Sequence, residues 1–548
     1  MGRLSLLALA AVLLAFAGMA RAETGSIERA GPQTLQSADP ATPEDVAKPE
    51  AEPVAAPAAA APAAVAEPTS PVGIAIKARL ALIPEDGTEP EKKERAALAA
   101  FYAARSYAPL WVDAKGFTAE AAAVTDAFAK AGDWGLDSAD FVAPKLDAAE
   151  AGHLSPETQA VAEVELARVV LKYARFARGG RILDLAGQLN SNLDRKPQLL
   201  DPAKVLDGLA AAPDKGAFLV GTHPQHAQFQ RLREKYAEAI AKTGGKPNAA
   251  AKRLLANMEM WRWMHDDLGA LHLFANVPSY MIDIVKDGTP IHSERIVVGE
   301  TGKQSSIFTR PLKSITFRPM WRVPESIKVN ELWPSLLRGG GLMRSYGLEV
   351  ETKDGRRLDW RTMDWRTLDI RDYEVVQPSG RKSVMGYVKF SFPSQHTIFM
   401  HDTPDKWMFN AKQRTLSHGC LRLRNPLRVA EILLAEDKGW DAAKIDELAK
   451  QGPFNNEVAI DKPIKMHIAY FTAWVDDDGK LTTYSDIYGH EKRVTQALDG
   501  KWDQIAKGRD HLAPPVPDQA HLEDKPVKQA RSQPTANDDF LGSFLGGF

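Results

Sequence analysis

The sequence predicts an α+β protein, helical in its first half and rich in strands in its second. Three observations predict it. Apolar residues recur at spacings of three and four up to about Leu268, and alternation punctuated by turn signals replaces that pattern after Gly269. Residues 23–71 have almost no large apolar residues and the stretch from about Leu512 is again polar, so neither joins a core. The 548 residues suffice for two or three domains. Lysine plus arginine (69) nearly balance aspartate plus glutamate (71), so the basic excess of a nucleic-acid binder is missing. No nucleic-acid partner is expected, and any electropositive site is local.

The first element, residues 1–22, reads as a secretory signal. Arg3 supplies the positive start, Leu4 to Ala17 the apolar run, and Ala20-Arg21-Ala22 a small-x-small cleavage site. The run is shorter than the ~20 residues a spanning helix needs. No cysteine follows it, which excludes a lipoprotein anchor. The expected location is therefore outside the cytoplasm, with an uncleaved inner-membrane anchor as the alternative. Residues 23–71 follow as an Ala/Pro-rich tether, as in "PVAAPAAAAPAAVAEPTSP".

Residues 72–268 read as a helical domain. "EKKERAALAAFYAARSYAPLW" and "PETQAVAEVELARVVLKYARFARGG" carry the helical spacing, and Gly179-Gly180 ends the second run. "RLLANMEMWRWMHDD" is the last helix of this half. Residues 269–490 read as the strand-rich domain. "ALHLFANV", "SYMIDIVKDGTPIHSERIVVGE" and "SVMGYVKFSF" alternate, with Asp287-Gly288 as a hairpin turn. "NPLRVAEILLAEDKGW" and "DAAKIDELAKQG" are two short helices, and "IKMHIAYFTAWVDDDGKLTTYSDIYG" reads as a further hairpin. Residues 491–548 read as a largely disordered tail.

The chemistry concentrates in "TLSHGCLRLRNP", which holds the single cysteine. An unpaired thiol in an exported chain is inert, half of an intermolecular bridge, or a nucleophile. If the stretch is extended, His418, Cys420, Arg422 and Arg424 line one side, and Gly419, Leu421 and Leu423 the other. Positive neighbours favour thiolate, so a lowered thiol pKa is expected. Gly419 leaves the backbone beside the sulfur uncrowded, so its N–H or that of Cys420 can face an oxyanion. Upstream, "HTIFMHDTP" ends a strand at His401-Asp402. His401 can take the thiol proton, oriented by Asp402 or by a backbone carbonyl. His401, Asp402, His418 and Cys420 are also competent zinc ligands, but the usual short ligand pairs are missing; no metal or other cofactor is expected.

"SHGCLRL", with "HDTP" nineteen positions before the cysteine, resembles the signature of the L,D-transpeptidases with a YkuD-type catalytic domain. "ALAAFYAARSYAPLWVDAKGFTAEA" and "AGDWGLDSADF" resemble the helical scaffold domain of that family's long branch, and "FRPMWRVPESI" and "GYVKFSFPSQHTIFMHDTPDKWMF" its catalytic half. The resemblance implies acyl transfer on peptidoglycan. Cys420 would open a donor tetrapeptide stem to a thioester, and a diaminopimelate amine on a second stem would resolve it to a 3-3 cross-link. It implies His401 as general base, His418 with Gly419 shaping the oxyanion region, Arg422 anchoring a stem carboxylate, and Ser417 supporting the loop. It also implies a β-rich catalytic domain with a capping insert at about 318–384, a mobile lid or a static subdomain. Carbapenems acylate this family's thiol. The chain departs from the pattern in having no room for a peptidoglycan-binding module between its halves, and in Leu421, where a β-branched residue is usual. The alternatives are a carboxypeptidase or endopeptidase using the same acyl-enzyme, attachment of a stem to another amine such as that of an outer-membrane protein, and a non-catalytic wall-binding protein.

Overall fold

The computed structural model describes residues 67–146, 153–380 and 382–515. The signal expected over residues 1–22, the tether up to residue 66 and the tail from residue 516 lie outside the described residues.

The helical half runs through α1 (Pro71–Ala81), α2 (Glu89–Ala104), a small hairpin β1 (Val112–Asp113) and β2 (Gly116–Phe117), α3 (Ala119–Ala129), α4 (Pro156–Gly179), α5 (Leu185–Gln188), α6 (Pro202–Ala211), α7 (Lys215–Val220), α8 (Ala227–Lys242) and α9 (Ala249–Arg262). Its axis is α4. Ser155 caps this helix by accepting the Thr158 N–H, Pro156 occupies the first turn, and Gly180 stops it with φ at +82°. A side chain at Gly180 would also meet Glu259, whose Oε1 lies 2.4 Å from the Cβ position. Glu163, buried on α4, accepts hydrogen bonds from the Tyr102 hydroxyl (2.6 Å) and from the N–H groups of Leu110, Trp111 and Val112. One carboxylate thereby satisfies the backbone leading into β1, which would otherwise lie buried without partners.

Two arginines join α4 to α9. Arg178 on α4 donates to the carbonyls of Arg262 (2.8 Å) and Met264 (2.9 Å), while Arg262 donates back to Ala177 (3.1 Å). Each guanidinium thus caps the other helix's C-terminus, where unpaired carbonyls concentrate negative charge. Phe229 and Leu232 of α8 and Leu254, Met258 and Trp261 of α9 are buried with the sheet rather than with the preceding helices. The two cores therefore meet ahead of residue 268, because the apolar faces of α8 and α9 serve the second core.

The strand-rich half contains β3 (Leu271–Asn276), β4 (Met281–Lys286), β5 (Thr289–Gly299), β6 (Thr309–Pro311) and β7 (Ser314–Phe317). An insert follows, with β8 (Trp321–Arg322), α10 (Glu325–Ile327), a π turn (Lys328–Leu332), α11 (Trp333–Leu337), α12 (Gly341–Tyr346), β9 (Glu349–Glu351), β10 (Arg357–Leu358) and β11 (Glu374–Gln377). The chain then returns through β12 (Val388–Ser391), β13 (Met400–His401), β14 (Thr415–Ser417) and β15 (Leu421–Leu423). It closes with α13 (Pro426–Lys438), α14 (Ala442–Lys450), β16 (Asn456–Ala459), β17 (Lys465–Ala469), β18 (Ala473–Val475), β19 (Leu481–Thr483) and α15 (His490–Leu498). The expected α+β organisation is the one adopted. Asp287-Gly288 turns β4 into β5, and the late hairpin is β18–β19, whereas β17 joins the main sheet beside β3.

The main sheet has the order β16-β7-β12-β13-β15-β5-β4-β3-β17-β6, with β14 also on β5. Strands β6 and β7 are neighbours in the chain, yet β6 ends this order and β7 stands one strand in from the other end, so the sheet curls back on itself. The insert buries its own cluster, including Leu332, Met343, Val350, Trp360 and Trp365, and Phe399 of the main sheet packs against it. Trp365 donates its indole N–H to the Trp360 carbonyl and Trp333 donates to that of Trp365, so these rings are buried without losing hydrogen bonds.

The expectation of disorder from residue 491 is corrected as far as residue 515. Val494 and Ala497 of α15 and Ile505 are buried. Lys252 and Arg253 of α9 pair with Asp499 (2.5 Å) and Glu491 (2.9 Å). The helix is short and mostly polar, and its ordering comes from these tertiary partners, which local composition does not reveal.

Candidate active site

The site is written in strand register. β13 and β15 run parallel, with Met400 opposite Leu421 and His401 opposite Arg422. Alternation buries Ile398, Met400, Leu421 and Leu423 in the sheet core, leaving Phe399, His401, Cys420 and Arg422 together on the other face. The rung extends sideways, since Lys389 lies opposite His401 and Thr316, and Glu457 opposite Thr316. Glu457, Thr316, Lys389, His401 and Arg422 thus share one face across five strands.

Cys420 lies half-buried on the wall of a cavity of about 600 Å³ that His401, His418, Phe399, Trp321 and Glu331 also line. The turn before it is held by Ser417, whose hydroxyl donates to the Cys420 carbonyl (2.6 Å) and accepts the Gly419 N–H (3.2 Å). Gly419 has φ at +111°, and a Cβ there would lie 3.2 Å from the Gln304 carbonyl; this turn requires glycine. Because the Gly419 N–H is engaged by Ser417, it is not available to an oxyanion. The Cys420 N–H has no hydrogen-bond partner among the described residues.

His401 is buried, and its Nδ1 donates to the Asp402 carbonyl at 2.5 Å. That bond fixes the tautomer with Nε2 unprotonated. The backbone carbonyl, rather than the Asp402 carboxylate, is thus the orienter. The carboxylate serves the local turn, accepting the N–H groups of Tyr387 (2.9 Å) and Thr403 (2.7 Å) and pairing with Lys406 (2.6 Å). Burial, reinforced by Arg422, pushes the His401 pKa down to about 3, so the ring is neutral near pH 7.

Three expectations are corrected here. The thiol pKa is raised, not lowered: burial pushes Cys420 up to about 11, against the pull of the Phe399 backbone, Arg422 and Lys389. Desolvation outweighs the two cations. Arg422 is fully buried (0 % exposed), with Nη1 against the Met408 sulfur (3.0 Å), and is not on the cavity wall. It acts on the site through its field, whereas Lys303, Arg493 and Arg509 are the cations that line the cavity. Lastly, the four-residue stripe breaks at Gly419. Only Cys420 and Arg422 share the face; His418 turns to the insert and Arg424 reaches Glu294 (3.1 Å).

His418 Nε2 lies 3.0 Å from Glu331 Oε1, and Lys303 contacts both groups. Lys303, Glu331 and Lys389 belong to no motif; only the sheet register and the insert bring them to the cysteine. No group of three His, Cys, Asp or Glu with metal-holding geometry occurs among the described residues.

Residues 96–235 match a family model described as the Scaffold domain, and residues 271–453 match the YkuD model, the L,D-transpeptidase catalytic domain. A Haemophilus influenzae protein named "Putative L,D-transpeptidase" is 26% identical over 422 residues, covering 75% of this chain and 81% of that protein.

Proposed function

From the premise that this chain carries a YkuD-type L,D-transpeptidase catalytic domain together with a Scaffold domain, we propose that it forms 3-3 peptidoglycan cross-links through a cysteine thioester. The observation that carries the reading is the placement of Cys420 and His401 on one face of two parallel strands, lining one cavity, with Nδ1 of the histidine anchored.

The thiol proton passes to His401 Nε2 as sulfur attacks the carbonyl of the L-centre in a donor tetrapeptide stem. The developing oxyanion accepts the free Cys420 N–H. The carbon–nitrogen bond to the terminal D-alanine breaks, and His401 returns the proton to the leaving amine. A diaminopimelate side-chain amine on a second stem then attacks the thioester, gives its proton to His401 and restores the thiol. Because resting thiol and imidazole are both neutral, proton transfer accompanies attack rather than preceding it. Arg422 and Lys389 favour the thiolate as it forms and disfavour the imidazolium. Substrate carboxylates meet Lys303, Arg493 or Arg509 on the cavity wall. The proposed substrate supports a periplasmic location, reached by cleavage of the leader-like segment. No helix of the described residues is long and apolar enough to cross a membrane.

The test is intact mass after incubation with a carbapenem, beside Cys420→Ala, followed by product analysis on tetrapeptide-bearing muropeptides. A one-to-one adduct only in the parent and a 3-3 dimer support the reading. Tripeptide alone would assign a carboxypeptidase, and a stem on a protein amine would assign protein attachment. No adduct on a reduced thiol would sink the thioester mechanism.

A further inference from the structure

The chain beyond α15 turns back to the cysteine. Arg493 Nε donates to the Ala506 carbonyl (2.8 Å) and Asn190 Nδ2 to the Lys507 carbonyl (2.6 Å). Gly508, Arg509, Asp510, His511, Ala513 and Pro515 then line the same cavity as Cys420 and His401. Ordering a polar terminal segment costs backbone entropy that apolar burial here does not offset, so specific contacts must hold it.

His511 supplies them. Its ring stacks on that of His396, with centroids 4.8 Å apart and planes 19° from parallel. His511 Nε2 lies 2.6 Å from His396 Nδ1, and His396 Nε2 lies 2.9 Å from Asp194 Oδ2. Ser191 Oγ lies 2.9 Å from His511 Nδ1 and accepts the His511 backbone N–H at 3.1 Å. One proton arrangement satisfies the whole chain with both rings neutral. Ser191 donates to His511, His511 to His396, and His396 to the Asp194 carboxylate, which Arg310 also holds at 2.6 Å. Residues 191–194, 396 and 511 are distant in sequence, and this directional chain locks them at one end of the cleft.

We propose that residues 505–515 form a strap that walls the Cys420 cleft, with His511 as its positioning residue, and that the strap sets how large an acyl acceptor, and how much water, reaches the thiol. The partition between acceptors rests on the acyl-transfer reading above; the wall itself does not. A two-substrate reaction on a thioester needs a bounded acceptor side, because bulk water competes with the amine. The strap bounds one side of the cavity with Gly508, Arg509, Asp510, His511, Ala513 and Pro515.

The lone cysteine makes the test direct. Modification of the reduced mature chain is followed with iodoacetamide, which is small, and with 5,5′-dithiobis(2-nitrobenzoic acid), which is bulky. His511→Ala and a chain ending at Gln504 are compared with the parent, with Cys420→Ala as blank and melting temperature as the folding control. Both variants are expected to react about tenfold faster with the bulky reagent while the small reagent changes little, as for an opened lid. With muropeptides, His511→Ala should raise hydrolysis relative to transfer. Equal bulky-reagent rates in parent and both variants would overturn the strap. Faster bulky-reagent rates alongside a parent that makes no transfer product would keep the strap and overturn the transpeptidase reading alone.

Discussion

His418 Nε2 and Glu331 Oε1, 3.0 Å apart, tie the turn that carries Cys420 to the π turn of the insert. Glu331 is nearly buried, and the same oxygen takes Lys303 at 3.0 Å. Losing a buried charge-assisted hydrogen bond costs on the order of 1–3 kcal/mol. Glu331→Gln should therefore slow carbapenem acylation of Cys420 by roughly ten- to a hundredfold, on that energy scale, with a smaller loss of melting temperature. An unchanged acylation rate would show that the tie does not position the nucleophile.

The proton chemistry separates two ways of modifying Cys420. Iodoacetamide needs thiolate, so with a thiol pKa of about 11 its rate should climb about tenfold per pH unit from 7 to 10. With His401 as the proposed base, neutral down to about pH 3, carbapenem acylation should vary far less over the same range. His401→Gln should reduce acylation by about 10²–10⁴-fold while leaving the alkylation slope in place. Parallel pH profiles for the two reagents would rule His401 out as the base.

Gly419→Ala places a side chain at φ +111°, with its Cβ 3.2 Å from the Gln304 carbonyl. Strain of this kind costs about 1–3 kcal/mol, and relief requires moving the turn that aims the sulfur. The variant should fold, melt a few degrees lower by that cost, and lose carbapenem acylation. Full acylation at the parental rate would show that the turn has slack.

Acid should destabilise the protein well above the carboxylate range. His401, His467 and His490 are each held near pKa 3, mainly by burial, against about 6.5 in an unfolded chain. Between these values the unfolded chain binds protons that the folded chain does not, so stability falls as pH drops from about 6.5 toward 3. Melting temperature measured from pH 7.5 to 4 should decline steadily, with a shallower slope in His401→Gln. A flat profile would mean that these rings are protonated in the folded state.

The sequence made the candidate nucleophile legible because its chemistry is local: one cysteine, a glycine before it, and a histidine at the end of a strand. Alternation in "CLRL" correctly separated Cys420 and Arg422 from Leu421 and Leu423. It misled where the backbone departs from an ideal strand, so His418 and Arg424 left the stripe at either end. The sign of the thiol shift was illegible, because it depends on how deeply the insert and the Lys406–Asn410 turn bury the face, a property of packing. Glu331, Lys389 and His511 were missed for the same reason. Each reaches the cleft through tertiary placement, from the insert, from the neighbouring strand and from a tail whose composition reads as polar.

Phe317 pairs with Val388 across β7 and β12, so the insert occupies the position of a loop in an ordinary hairpin. A short turn in its place would leave every rung of the main sheet intact. Phe399 would lose its packing partners, and water would reach the Lys389, His401 and Arg422 rung. The imidazole would rise toward its ordinary pKa and the thiol would fall toward its own, so the fraction of thiolate open to oxidants would grow. The architecture can therefore dispense with the insert while the proton chemistry cannot.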